Sequence, residues 1–138
     1  KGQLIDGDKT MGMIATEWQR DGLLRGDGIV ATVMSNMGLE KYLGKIGINL
    51  HRAQVGDRYV MEAMINGNFN LGGEQSGHLI FKDSATTGDG VLAGLAILEA
   101  ILEEGKKISE LRKCMDRLPQ VLKNVDETKK SPWETYRL

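Results

Sequence analysis

Residues 28–34 read GIVATVM, a short and nearly continuous apolar run that contains β-branched residues. The run begins at a glycine and is followed by Ser35 and Asn36, so turn-forming residues mark both of its ends. A run of this length without polar alternation is typical of a strand that is covered on both faces. Amphipathic helical patterns lie on either side of it, over residues 9–20 and 37–46. We therefore expect a buried strand flanked by helices.

The rest of the chain continues this alternation. Further strands are predicted at 48–55, 69–72 and 79–81, and further helices at 56–65, 89–104 and 108–115. The helical pattern is clearest over 89–104, where one apolar stripe is assigned to the core and consists of Val91, Leu95, Leu98 and Leu102. The alternation indicates the α/β class, as a three-layer α/β/α sandwich with a mixed or mostly parallel sheet.

The periodic pattern thins after Pro119, and the residues beyond it are mostly polar. We expect residues 1–120 to form one α/β domain. Residues 121–138 are predicted to be a linker and the start of a following domain.

Composition and charge argue against several classes of function. The net charge is −1, so the chain has no basic field that would hold nucleic acid or anionic lipid. No apolar run approaches the roughly 18 residues that mark a membrane span. The single cysteine, Cys114, allows no internal disulfide and gives no sign of an oxidising compartment. We expect no nucleic-acid partner, no membrane partner and a cytoplasmic location.

The segment GGEQSGH, residues 72–78, carries the most chemistry. An ionised Glu74 accepts hydroxyl donors, while Ser76 and His78 each donate or accept. In an extended segment these alternate positions lie on one side, which would form an edge that binds a polyol. A turn with one capping glutamate explains the same residues and stays open as the alternative.

Other polar clusters have simple structural explanations. Asp6 and Asp8 precede a helix and are suited to cap it, and they lack the further oxygen ligands of a cation loop. His51 and His78, without a cysteine pattern, are too few for a zinc site. No P-loop or nucleophile-elbow motif is present. The chain is therefore predicted to hold no metal site, while a Ser-His-Asp triad of Ser76, His78 and Asp89 stays open without an elbow motif to support it.

Two strand-to-helix turns remain as candidates. At residues 56–59 the free N–H groups of the turn and the guanidinium of Arg58 would suit an anion. An Asp57 cap with Arg58 paired on the surface explains this turn equally well. At residues 86–90 the expectation is a helix cap by Asp89 or Thr87.

Five segments together resemble the phosphoglucosamine mutases, a branch of the α-D-phosphohexomutase superfamily. They are IDGDK (5–9), TVMSNMGLE (32–40), VGDRYV (55–60), GGEQSGH (72–78) and TTGDG (86–90). The superfamily shares GExSGH widely, whereas VGDRYV together with GEQSGH and TTGDG is more similar to the glucosamine branch than to the mannose or glucose branches. A phosphomannomutase or phosphoglucomutase domain, and a free-standing non-catalytic α/β binding module, stay open as alternatives.

The resemblance implies that the chain is the third, sugar-recognising domain of a four-domain enzyme. Such an enzyme interconverts glucosamine 6-phosphate and glucosamine 1-phosphate through a phosphoserine and a bisphosphate intermediate. Its Mg²⁺, its phosphoserine loop and its main phosphate-binding loop are implied to belong to other domains of the same polypeptide. The chain alone is therefore expected to be inactive and to contain no cofactor.

The resemblance also implies roles for individual residues. Glu74 and Ser76 match the positions that contact sugar hydroxyls of the phosphosugar, and His78 matches the histidine of the motif. Asp57 and Arg58 match cleft-side positions. Gln54 stands where some relatives carry a lysine, so no cationic phosphate contact is implied there.

Overall fold

The computed structural model describes residues 2–123 of the chain. Residues 124–138, most of the predicted linker, lie outside the described residues. The four-stranded sheet has the order β2-β1-β3-β4, with β1 parallel to β2 and β3 and with β4 antiparallel to β3. Its strands are β1 (Gly28–Thr32), β2 (Asn49–Ala53), β3 (Leu71–Gly73) and β4 (Leu79–Phe81).

Helices cover both faces of this sheet. They are α1 (Gly7–Arg20), α2 (Met37–Lys45), α3 (Asp57–Asn66), α4 (Gly90–Glu104) and α5 (Ile108–Leu111). Alternate residues of β1 point to opposite faces, so Ile29 and Ala31 pack with α1 and α2 whereas Val30 packs with α3. The predicted α/β/α sandwich with a mixed sheet is confirmed. No helix within residues 2–123 is long and apolar enough to cross a membrane.

The predicted strand 28–34 is β1, and all five of its residues are buried. Its end at Thr32 is earlier than predicted, because Val33 and Met34 already belong to the turn towards α2. Capping by aspartate is confirmed at two helices. The Asp6 side chain accepts a hydrogen bond from Lys9 N at 3.1 Å, and Asp89 accepts from Val91 N at 2.8 Å.

The apolar stripe that was assigned to the core of α4 is instead exposed, so that prediction is wrong. Val91, Leu95, Leu98 and Leu102 are 56–80% exposed. The opposite side of the helix packs on the core, with Ala93 and Ala100 buried there. Because α4 is apolar almost all the way round, its sequence does not mark which side faces inward. The small alanines allow the helix to lie close to α1 and the sheet.

Candidate functional site

Three of the sequence motifs meet at one edge of the sheet. Since β1, β2 and β3 are parallel, the turns that follow them lie at their shared carboxyl edge. VGDRYV contains the turn between β2 and α3, and GGEQSGH connects β3 to the antiparallel β4. TTGDG leads into α4. Ligands of open α/β sheets bind at this edge, so it is the candidate functional site.

The segment from Glu74 to His78 is a tight turn, not the extended segment that was assumed from the sequence. Glu74 N donates to His78 O at 2.9 Å, and Gly77 N donates to Glu74 O at 3.0 Å. Gly77 has a φ of +100°, which favours glycine and reverses the chain. Strand alternation therefore does not establish that Glu74, Ser76 and His78 lie on one side of the segment. Their arrangement depends on the shape of the turn.

The turn rests on the first residue of α1. Gly7 N donates to Gln75 O at 2.9 Å. A Cβ atom on Gly7 would lie 2.0 Å from Glu74 O and 2.8 Å from Gly77 N, so the absence of a side chain permits this contact. Within residues 2–123 the Glu74 carboxylate caps no helix and accepts no hydrogen bond. The alternative of a capping glutamate thus has no contact to support it.

His78 contacts both of the other motifs. Its Nε2 atom lies 2.7 Å from Asp57 Oδ2, with both side chains about half exposed. A Cβ atom on Gly88 would lie 2.2 Å from His78 Cδ2, so the imidazole packs directly on the Gly88 backbone. Sequence reasoning missed this pairing. Its only signal was that Asp57 and His78 both follow strands whose ends share one edge.

The turn before α3 differs from the expected aspartate cap. The N-cap residue is Gly56, which makes no side-chain cap bond, while Asp57 is the first helical residue and pairs with His78. Arg58 is exposed and lines a groove together with Thr86 and Thr87. Ser76 lines a separate groove between the start of α1 and α4. The structure therefore joins His78 to Asp57 and Gly88, and places Arg58 and Ser76 on either side of them.

Several buried polar side chains, in α1, at and after the end of β1 and in the turn itself, were not predicted. Asp8 Oδ2 accepts from Asn36 N at 2.8 Å. Within the part of the chain that the structure describes, Asp8 Oδ1, Thr32 Oγ1, Ser35 Oγ and Gln75 Nε2 are buried without a hydrogen-bond partner. The available signal was that polar residues follow the buried strand β1 directly. Among residues 2–123, no group of three or more metal-binding side chains occurs.

Burial raises the pKa of the Asp8 carboxyl above its ordinary value, against the lowering effect of the hydrogen bond from Asn36. The folded state therefore holds this proton more tightly than the unfolded state. The protonated Asp8 carboxyl stabilises the fold fully below the pKa of about 4 that an aspartate has in the unfolded chain. This stabilisation is lost as the pH rises through the higher pKa of Asp8 in the folded chain. Above that range the buried charge destabilises the fold.

We expect Asp8→Asn to raise the melting temperature at pH 7 by a few degrees and to change it little near pH 3.5. Asparagine removes the buried charge and keeps an oxygen that accepts from Asn36 N. Thermal unfolding of both proteins between pH 3.5 and 7.5 measures this difference. Asp116→Asn, at an exposed position, is the control. A difference between Asp8→Asn and wild type that does not vary with pH would contradict the assignment.

Comparison with known proteins defines the class to which this fold and edge belong. Residues 6–118 match the family described as phosphoglucomutase/phosphomannomutase, alpha/beta/alpha domain III, and the chain belongs to that family. It is 54% identical over 125 residues to the phosphoglucosamine mutase of Methylobacterium sp. (strain 4-46), which covers 91% of this chain and 28% of that protein. It is 52% identical over 134 residues to the phosphoglucosamine mutase of Sinorhizobium medicae, covering 97% of this chain and 30% of that protein.

Solved structures show the same fold. A phosphoglucomutase/phosphomannomutase family protein from Burkholderia thailandensis is 26% identical, with a TM-score of 0.68 over 84% of this chain and 25% of that chain. Aspergillus fumigatus N-acetylphosphoglucosamine mutase, in complex with GlcNAc-6P and magnesium, has a TM-score of 0.66 at 20% identity, over 85% of this chain and 29% of that chain. The resemblance to the superfamily is confirmed. The chain spans less than a third of the length of the curated relatives quoted above.

Proposed function

We propose that this chain is the sugar-binding domain of a phosphoglucosamine mutase. The whole enzyme would interconvert glucosamine 6-phosphate and glucosamine 1-phosphate through a phosphoserine and a bisphosphate intermediate. One observation carries the proposal. The GGEQSGH turn presents a carboxylate with no partner among residues 2–123 at the candidate edge of the sheet, beside an exposed serine. Relatives whose sequences are about half identical to this chain are phosphoglucosamine mutases. This favours the glucosamine branch over the mannose and glucose branches.

Each of these side chains would make a different contact with the sugar. The Glu74 carboxylate accepts hydrogen bonds from sugar hydroxyls, Ser76 donates or accepts one, and His78 contacts the ring from the other side of the turn. Arg58 flanks these groups with a positive charge. Neutral hydroxyl contacts hold the middle of the sugar, so they serve both orientations that the bisphosphate must adopt. Mg²⁺ would supply charge stabilisation for phosphoryl transfer, held by residues outside this chain.

The exposed face of α4, formed by Val91, Leu95, Leu98 and Leu102, is proposed to pack against another domain of the same polypeptide. These four large apolar side chains lie on one side of a helix and are exposed in the isolated domain. Exposed apolar patches of this kind mark interaction surfaces. The greater length of the relatives supplies the polypeptide that would cover it. With the predicted division at residue 120, a linker towards such a domain would follow α5.

The experiment is a comparison of kcat/KM for glucosamine, mannose and glucose 6-phosphates in the full-length protein that carries this domain. We expect glucosamine 6-phosphate to be preferred and the 138-residue chain alone to show no turnover. Preference for mannose or glucose phosphate would move the domain to a sister branch of the superfamily. Turnover by the 138-residue chain, purified free of host mutase, would overturn the proposed division between domains.

A further inference from the structure

The imidazole of His78 is held from two directions. On one side the Asp57 carboxylate approaches its Nε2 atom at 2.7 Å. On the other side the Gly88 backbone lies against the ring, where an added Cβ would come within 2.3 Å of Nε2. Asp89 N donates to Leu79 O at 2.9 Å, which fixes the Gly88 segment to the strand that begins next to His78. The ring is therefore positioned by two separate elements of the fold, the start of α3 and the segment before α4.

The pairing determines which hydrogen-bonding group the ring presents. An ionised carboxylate only accepts hydrogen bonds, so Nε2 must carry the hydrogen. The neutral ring then has its lone pair on Nδ1, and Nδ1 becomes an acceptor. No residue in the described range 2–123 donates to Nδ1. A ring fixed in this way at the candidate edge is prepared to accept a hydrogen bond from a sugar hydroxyl.

The pair is not explained by stability alone. Half-exposed ion pairs contribute little to folding, about 0–1 kcal/mol. The domain contains a second pair of the same kind, in which His51 Nε2 lies 2.9 Å from Asp27 Oδ1. That pair lies near the start of β1, at the opposite edge of the sheet. It contacts none of the three motifs and is therefore a matched control.

We infer that Asp57 is a positioning residue, which holds His78 in the Nε2–H tautomer so that Nδ1 accepts a hydrogen bond from a hydroxyl of the sugar phosphate. This inference rests on the proposed function. Asp57 itself does not touch the substrate and acts only through His78. Gly88 takes part because any side chain at this position would displace the imidazole from the carboxylate.

The test is a double-mutant cycle in the full-length enzyme, with Asp57→Asn, His78→Gln and the double variant. Each single variant should lower kcat/KM about three- to ten-fold, the effect of one net hydrogen bond. The loss should be mainly in KM, because the contact is made in the ground state as well. The double variant should be no worse than His78→Gln alone. Asp27→Asn should leave kcat/KM unchanged.

A second pair of variants tests the packing contact. Gly88→Ala should reproduce the Asp57→Asn loss, because the new Cβ displaces the His78 ring. Gly44→Ala in α2, outside the three motifs, where an added Cβ would meet no atom within 4 Å, should not.

Side-chain ¹⁵N spectra of the histidine-labelled enzyme, with His78 assigned through His78→Gln, supply a readout that does not depend on turnover. Asp57→Asn should populate the Nδ1–H tautomer of His78 and leave the His51 spectrum unchanged.

Two outcomes would overturn the inference. Multiplicative losses in the double variant would show that Asp57 contacts the sugar by itself. An unchanged His78 tautomer in Asp57→Asn would show that the pair does not orient the ring, whichever sugar phosphate the enzyme turns over. A failure of the proposed function is distinguishable, since it would show as a substrate preference outside glucosamine phosphates while the tautomer still responds.

Discussion

Gly7→Ala is expected to lower the free energy of unfolding by about 3 kcal/mol, which is the cost of overpacking a site that has no free space. The new Cβ would lie 2.0 Å from Glu74 O and 2.9 Å from Gln75 O. Both atoms belong to the backbone of the turn, so no side-chain rotation relieves the clash. Either α1 shifts or the turn moves away from it. Urea unfolding of the 138-residue chain, followed by circular dichroism, measures the loss.

The matched control is Gly44→Ala in α2, where an added Cβ would meet no atom within 4 Å. Alanine is favoured over glycine in a helix by up to about 1 kcal/mol, so this variant should be neutral or slightly more stable. If Gly7→Ala is as stable as Gly44→Ala, the turn does not rest on α1. In that case the first residue of the helix has no part in shaping the candidate site.

The helices and strands were predictable because their signals are local. The apolar run 28–34 is short, rich in β-branched residues and bounded by turn residues, which favours a covered strand. The strand β1 is buried at all five positions. The order β2-β1-β3-β4 and the antiparallel direction of β4 were not predicted. They depend on pairing between residues that are distant in the sequence. The hydrophobic pattern of a three-residue strand such as Leu79–Phe81 does not encode its direction.

The α4 helix shows where periodicity fails. A stripe identifies the buried face only if the other faces are polar, and α4 carries leucine, isoleucine, valine or alanine on nearly every side. The large residues were assigned to the core, whereas the alanines occupy it. In a domain that packs against other domains, a large apolar side chain is consistent both with the core and with an interface to another domain. Sequence alone does not separate a core from an interface.

The candidate site was predictable in its motif and not in its contacts. GGEQSGH was identified from its residue types, while the pairing of His78 with Asp57 needed the shared edge of parallel strands. Asp8 was interpreted as a helix cap, whereas its side chain is buried and accepts a hydrogen bond from Asn36 N, in a segment distant in the sequence. In each case the sequence shows which groups are available. The fold decides which of them meet.

Glu74→Ala in the full-length enzyme is expected to lower kcat/KM for glucosamine 6-phosphate about ten-fold to more than a hundred-fold. The carboxylate is proposed to accept charge-assisted hydrogen bonds from sugar hydroxyls, worth roughly 1.5–3 kcal/mol, which converts to that range of rates. The melting temperature should hardly change, because the Glu74 carboxylate accepts no hydrogen bond within residues 2–123. Steady-state kinetics and thermal unfolding of the same preparation measure both quantities.

Glu103→Ala is the control for charge and residue type. Glu103 is exposed near the end of α4, about 20 Å along the helix from the candidate edge at 1.5 Å per residue. Its removal should leave both kcat/KM and the melting temperature near the wild-type values. A large fall in melting temperature for Glu74→Ala would show that the carboxylate stabilises the turn. Equal kinetics for the two variants would show that it does not bind the sugar.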